Sequence, residues 1–288
     1  MITGNTKLLG VMGHPINHSF SPAIHNAALN DAGLDYAYLP LEVPKESLNN
    51  TLKWIKTLNF RGFNVTIPHK NDILPLLDEV TEEAKTVGAV NTVIRENGRL
   101  IGYNTDIVGF TAGLAEANFK AENKNAVILG AGGAARAVIA GLLKEKIKNI
   151  AIAARNTEKA EILAKNFNRG VVCVNFADEE YNNLLKDADI VVNTTPLGMY
   201  PNVDAMPPID FSIVKKDALI YDIIYTPEET KFLKEAKEKG LKTANGETML
   251  VEQGAAAFRL WTGEDPNVDL MKETLRNALK DCRHEGVE

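Results

Sequence analysis

Ala126-Val127-Ile128-Leu129-Gly130-Ala131-Gly132-Gly133-Ala134-Ala135-Arg136 passes from an apolar, strand-like run through a glycine turn into a helical one. The glycines follow the spacing G-x-G-x-x-A in the strand-before, helix-after context that a dinucleotide-binding turn requires. Gly130 permits the tight turn, Gly132 lets the backbone approach a pyrophosphate, and Ala135 keeps helix and strand close. The helix start then offers unbonded N–H groups and a positive dipole end to phosphate. A tight helix–strand contact that holds no ligand is the competing reading.

The next strand-like run, Ile150-Ala151-Ile152-Ala153-Ala154, is followed by Arg155-Asn156-Thr157. NAD sites place Asp or Glu near this point, about twenty residues past the glycines, to hold the ribose 2′-hydroxyl. No acid stands there, and Arg155 does. A guanidinium suits a 2′-phosphate through charge-assisted bidentate bonds, so the pattern points to NADP rather than NAD. An ordinary solvated arginine is the alternative.

From about residue 105 the chain repeats strand–helix units. Val171–Phe176, Ile190–Thr194 and Leu219–Ile224 are further apolar strands, and Thr157–Phe167 and Glu228–Lys239 are helical patterns. Alternation of this kind implies a parallel, doubly wound Rossmann-type sheet. Before it, Lys7–Met12, Tyr36–Val43 and Gly62–Ile67 read as strands. Ser21-Pro22 reads as a helix start with Ser21 as N-cap, closed at Gly33. Lys45–Leu58 is an amphipathic helix with Leu48, Leu52, Ile55 and Leu58 on one face. Asn97-Gly98 joins Val90–Arg95 to Arg99–Tyr103 in a type I′ hairpin. After Gly246 the chain is helical, over Thr248–Trp261 and Asp269–Asp281. The expected fold is α/β in two domains. Residues 1–106 plus 246–288 form one with a mixed sheet, and residues 107–245 form an inserted Rossmann domain.

The 288 residues carry 32 basic and 38 acidic side chains, a net charge of −6. That balance argues against binding a nucleic-acid backbone, which would need a basic stripe. The acidic excess lies in the two flanks, and the neutral middle coincides with the expected domain for a polyanionic dinucleotide. Cys173 and Cys282 form neither a disulfide framework nor a zinc spacing, and His14, His18, His25 and His69 match no metal site. Ala126–Leu143 is about the minimum length of a membrane span, but it contains Arg136 and four glycines. No secretory signal is visible at Met1–Gly10. A cytoplasmic, metal-free protein with no membrane partner is expected.

Polar clusters recur where loops should leave strands: His18-Ser19-Phe20-Ser21-Pro22, Asn64-Val65-Thr66 through Lys70, Gly88 to Thr92, and Asn104-Thr105-Asp106. Singly, each has an ordinary explanation. Asn and Asp make turns, Ser21 and Thr105 can cap helices, and lysine is usually solvated. Together they support a polyhydroxylated or carboxylated ligand. Leu250, Ala257, Phe258 and Trp261 read as helical core.

Taken in order, these strings resemble the shikimate dehydrogenase family. Gly13 to Pro22 is similar to its amino-terminal substrate loop, and Asn64 to Lys70, Gly88 to Thr92 and Asn104 to Asp106 to its substrate motifs. Gly130 to Arg136 is similar to its cofactor turn, and Asn193-Thr194-Thr195-Pro196-Leu197-Gly198-Met199 to its nicotinamide-side segment. Asp222 to Pro227 and Gly246 to Gly254 complete the match, which covers nearly the whole chain.

The resemblance implies reversible NADPH-dependent reduction of 3-dehydroshikimate to shikimate, in the pathway to chorismate and aromatic amino acids, by a homodimer. It places Ser19 and Ser21 at the substrate carboxylate with Tyr225 near it, and Thr66, Asn91, Asp106 and Gln253 at ring hydroxyls. Lys70 and Asp106 would be catalytic. A lysine can protonate the oxygen that gains charge as hydride arrives. A carboxylate neighbor raises a lysine pKa, so a working acid/base would also need desolvation. Cofactor contacts are implied at Gly130, Ala131, Gly132, Gly133 and Ala134. They are implied too at Ala154, Arg155, Asn156, Thr157, Glu158, Lys159, Ile223, Gly246 and Glu82. Glu82, in Thr81-Glu82-Glu83, equally suits helix-start chemistry. The family commonly shows Asn-Arg-Thr where this chain has Ala154-Arg155-Asn156, and the missing amide bears on affinity for the adenosine end. A quinate/shikimate dehydrogenase of broader cofactor use is the alternative enzyme, and a catalytically silent nucleotide sensor the alternative class.

Overall fold

The computed structural model describes residues 2–167 and 170–284, the side chains of 281–284 excepted, so the side chain of Cys282 lies outside the described residues. The chain divides into two compact units. Unit 1 comprises residues up to Thr105 together with those from Val251 on, and unit 2 spans Asp106–Leu250.

Unit 1 opens with β1 (Lys7–Gly13), α1 (Ser21–Asp31), β2 (Tyr36–Glu42), α2 (Leu48–Thr57) and β3 (Gly62–Val65). There follow β4 (Glu79–Val80), α3 (Glu82–Val87), β5 (Thr92–Glu96) and β6 (Arg99–Tyr103). The six strands form one sheet in the order β2-β1-β3-β5-β6-β4. Its β1–β2 and β1–β3 pairs are parallel, whereas β3–β5 and β5–β6 are antiparallel, so the sheet is mixed. Asn97 (φ 50°) and Gly98 (φ 78°) turn the β5–β6 hairpin, with Glu96 opposite Arg99. Positive φ at both central residues is what a type I′ turn demands.

Two helix expectations need correction. Ser21 is the first residue of α1 rather than its N-cap. Phe20 holds the cap position in helical conformation, and no side chain caps it. A short 3-10 turn, Lys45–Ser47, precedes α2, whose buried face is Leu48, Leu52 and Ile55. Leu58 has left the helix and is exposed, because the backbone there is already extended.

Unit 2 consists of α4 (Asp106–Glu116), β7 (Asn125–Leu129), α5 (Gly133–Lys144), β8 (Asn149–Ala153), α6 (Thr157–Ala164) and β9 (Val171–Val174). It continues with α7 (Glu179–Asp187), β10 (Ile190–Asn193), β11 (Leu219–Asp222), α8 (Lys231–Glu238) and β12 (Lys242–Ala244). The sheet order is β12-β11-β10-β7-β8-β9, every pair parallel. Counted within the unit this is 3-2-1-4-5-6 read from the β9 edge, the Rossmann order. Helix α8 starts at Lys231 instead of Glu228, because Thr230 accepts a hydrogen bond from the Leu233 N–H (3.4 Å) and caps it there. Helix α9 (Glu247–Thr262) is divided between the units at Val251, and α10 (Val268–His284) ends the described chain.

Alternate residues of β7 serve opposite faces of the unit 2 sheet. Ala126 and Ile128 join a core with Val138, Ile139 and Leu142 of α5, while Val127 and Leu129 join one with Tyr181, Phe232 and Leu233. Burial on both faces explains why the strand is an unbroken apolar run. A valine, leucine, isoleucine or phenylalanine among them contributes about 1.5–3 kcal/mol when fully buried. This stiff sheet fixes the carboxyl ends of its strands, where the polar loops begin.

Candidate functional site

The glycine turn of unit 2 links β7 to α5. Gly130 has φ 104°, and a Cβ there would lie 2.8 Å from the Thr195 methyl and 3.1 Å from the Thr194 hydroxyl oxygen. Only glycine meets both demands. Gly132 is the N-cap of α5, carries no capping side chain, and would meet nothing within 4 Å if a Cβ were added. The first-turn N–H groups therefore face an open space beside the backbone, the form of a pyrophosphate cradle. Ala131, Gly133 and Ala134 are half-buried around it, and Ala135 is buried under the helix. Thr194 closes the opposite side, donating its N–H (2.9 Å) and hydroxyl (2.8 Å) to the Leu129 carbonyl. The cradle thus stands between β7 and β10, where the strand order reverses. Ligands of doubly wound sheets bind at that place.

At the end of β8, Ala154 is buried, whereas Arg155, Asn156, Glu158 and Lys159 are exposed and Thr157 is half-buried. Asn156 Oδ1 accepts the Lys159 N–H at 2.9 Å and caps α6, so its side chain has structural work. Asn175 Nδ2 donates to the Arg155 carbonyl at 3.1 Å, anchoring the backbone from which the guanidinium extends into solvent. An exposed cation two residues past the second strand fits a 2′-phosphate.

A third group in unit 2 escaped residue-by-residue sequence reasoning. Asp222 ends β11, is fully buried, and takes three donors: Thr230 Oγ1 (2.6 Å), Asn193 Nδ2 (3.1 Å) and the Ile224 N–H (3.1 Å). Burial pushes its carboxyl up to about 6 against the opposing pull of those donors. Asn193 Oδ1 in turn accepts from the Thr195 N–H (3.0 Å) and hydroxyl (2.7 Å). One carboxyl therefore ties the loop after β11 to the loop that packs on Gly130. Ile223 and Tyr225 ride on this loop, both half-buried, and burial raises the Tyr225 hydroxyl above its ordinary pKa. Gly246 donates its N–H to the Ile224 carbonyl (3.0 Å), and any side chain at 246 would overlap the Ile223 carbonyl.

In unit 1, β3 ends at Val65 and Thr66 turns the chain, donating its N–H to the Met12 carbonyl (2.9 Å). The Val90 N–H donates to the Lys70 carbonyl (2.8 Å), which pins the backbone of the half-buried Lys70 beside the Asn91 strand. Asn91 is buried and heads a cluster. Its Oδ1 accepts the Thr105 N–H (2.7 Å), and its Nδ2 donates to Thr105 Oγ1 (2.9 Å) and to Gln253 Oε1 (3.2 Å). Two amides 162 residues apart are thus brought together. Thr105 commits its hydroxyl to this cluster. Ser19 and Ser21 occupy the turn into α1, with the Ser21 N–H donating to Ser19 Oγ (3.3 Å).

Asp106 is the buried first residue of α4 in unit 2. Glu82 heads α3, exposed and paired with Lys85 at 2.6 Å, behind Thr81, which caps the helix. That is helix-start chemistry. Among the described residues no group of three or more His, Cys, Asp or Glu could hold a metal ion, and no helix is long and apolar enough to cross a membrane. His25 lies fully buried among aromatic rings, its pKa lowered to about 3 by desolvation.

Comparison with known proteins places these clusters in context. The family described as shikimate dehydrogenase substrate binding domain matches residues 11–93, that of shikimate/quinate 5-dehydrogenase matches 113–199, and the shikimate 5′-dehydrogenase C-terminal domain matches 246–276. A shikimate dehydrogenase (NADP(+)) of Methanococcus aeolicus is 46% identical over 280 residues, covering 97% of this chain and 100% of its own. The crystal structure of a shikimate dehydrogenase in complex with NADP+ superposes with a TM-score of 0.91 at 45% identity, over 97% of this chain and 98% of that one. A shikimate 5-dehydrogenase of Thermus thermophilus, in complex with NADP(H) and shikimate, gives 0.86 at 38% identity, over 95% and 100%.

Proposed function

This chain belongs to the shikimate dehydrogenase family and is an NADP-linked oxidoreductase, and we propose from this that it interconverts 3-dehydroshikimate and shikimate by the following division of labor. Unit 1 supplies most of the substrate contacts, and unit 2 takes NADP(H) and adds Asp106 and Tyr225 to the substrate side. The Asn91–Gln253 hydrogen bond carries the reading. It assembles donors and acceptors suited to a polyhydroxylated ring from segments that no local structure would unite.

Ser19 and Ser21 hold the substrate carboxylate with Tyr225 near it, and Thr66, Asn91, Asp106 and Gln253 hold ring hydroxyls. Gly130 to Ala134 receive the pyrophosphate. Arg155 receives the 2′-phosphate, with Ala154 and Asn156 to Lys159 around it, and Ile223 and Gly246 flank the nicotinamide end. When bound, NADPH supplies the hydride. Lys70 delivers a proton to the carbonyl oxygen as negative charge develops there and stabilises that charge electrostatically. Asp106 is its acid/base partner in the mechanism. In the oxidative direction Lys70 recovers the proton.

Steady-state kinetics with shikimate and quinate, each with NADP and NAD, test this directly by nicotinamide absorbance. Shikimate with NADP should give the highest kcat/KM. Quinate with NAD as the best pair would overturn it. A cytoplasmic homodimer, implied by the family resemblance, completes the proposal, and light scattering of the purified chain checks its assembly.

A further inference from the structure

We infer that Tyr38, which touches neither ligand in the scheme above, is a positioning residue that anchors Asn64, and through it Thr92, against the Asn91 amide. The inference rests on the reading of Asn91 and Gln253 as substrate contacts. Tyr38 is 1% exposed, and its ring stacks on His25 with centroids 4.3 Å apart and planes 8° from parallel. Trp261 packs obliquely against it at 6.0 Å. The ring cannot swing, so its hydroxyl has a fixed place. From that place it donates to Asn64 Oδ1 at 2.7 Å.

The direction of each bond follows from what each atom can do. Asn64 Nδ2 lies 3.1 Å from the Asn91 carbonyl and 3.0 Å from Thr92 Oγ1. A carbonyl can only accept, so the nitrogen of the Asn64 amide must face it and the oxygen must face Tyr38. That oxygen also only accepts, which commits the Tyr38 hydrogen to it. Thr92 accepts from Asn64 and passes its own hydrogen to Asn91 Oδ1 at 3.1 Å. Asn91 Oδ1 faces both this hydroxyl and the Thr105 N–H, which can only donate, so Nδ2 faces Gln253. Tyr38, Asn64, Thr92, Asn91 and Gln253 thus form a chain in which every member donates to the next. Hydrogen bonds in such a chain polarise one another, and an orphaned buried acceptor is costly, so the whole set keeps one orientation.

Tyr38→Phe keeps the stacked ring and removes only the donor, leaving the buried Asn64 Oδ1 without its partner and loosening the Asn64–Thr92 link to the Asn91 amide. Thr92→Val interrupts the same chain at its middle link with nearly the same shape. Steady-state kinetics and thermal melts of wild type and both variants test the idea. Each variant should raise KM for shikimate by about tenfold, the loss expected for one buried hydrogen bond, with KM for NADP within about twofold and kcat changed far less than KM. The double variant should be scarcely worse than either single one, because both break one chain. KM for shikimate moving less than about twofold in both variants overturns the inference, as does an equal rise in KM for NADP. If wild type fails to oxidise shikimate at all, the proposed function falls and this inference with it. An active wild type with indifferent variants sinks this inference alone.

Discussion

Asn193 and Asp222 face each other in register at the carboxyl ends of the parallel strands β10 and β11, and the Asn193 amide donates to the Asp222 carboxyl at 3.1 Å. The pair gives the unit 2 loops a common origin, since Thr195 hangs from Asn193 and Thr230 and Ile224 from Asp222.

This carboxyl has a pH signature. Its folded-state pKa is raised to about 6, so the folded protein holds the proton more tightly than the unfolded chain does. The resulting stability is complete below the ordinary carboxylate range, near pH 4, and is lost as pH rises through about 6. Asp222→Asn cannot titrate. The stability of wild type relative to this variant should therefore fall between pH 4 and pH 7, by about 3 kcal/mol at most. Urea melts of both proteins across that range check it, and parallel curves would refute it.

Lys70→Ala should lower kcat by orders of magnitude while leaving KM for shikimate nearly unchanged, because the proton is needed as charge develops rather than for binding. Surviving turnover would remove Lys70 from the acid/base role.

Arg155→Ala should raise KM for NADP far more than KM for NAD, since only NADP carries the 2′-phosphate that a guanidinium pairs with bidentately. Equal effects on the two cofactors contradict the assignment.

Gly62→Ala tests packing away from chemistry. A methyl there would overlap the Trp261 indole, whose Nε1 donates to the Val93 carbonyl at 3.0 Å, and the Val93 carbonyl itself. Overpacking should cost about 1–3 kcal/mol. The denaturation midpoint should drop while KM for NADP stays near wild type.

Much of the local structure could be read from residues in order. The hairpin at Asn97-Gly98 needed only its turn chemistry, and α2 only its spacing of Leu48, Leu52 and Ile55. Boundaries were less legible where a competing cap intervened. Thr230 shortens α8 by accepting from Leu233, and Phe20 holds the place that Ser21 was expected to fill. Strand β12 has three residues, half-exposed at a sheet edge, and its alternation is too short to register. Helix α7 buries only Tyr181 and Leu185, so its apolar signal is thin.

Order along the chain sufficed for the parallel doubly wound class, the strand–glycine turn–helix at Gly130 and the missing acid at the end of β8. Those depend on dihedral freedom, periodicity and residue type within a few positions. The meeting of Asn91 with Gln253, the packing of Tyr38 on His25 and Trp261, and the buried environment of Asp222 depend on segments far apart in sequence. A side chain's desolvation and its hydrogen-bond direction are properties of such neighbors. Tyr38 and Asp222 therefore read as ordinary strand residues until folding surrounds them.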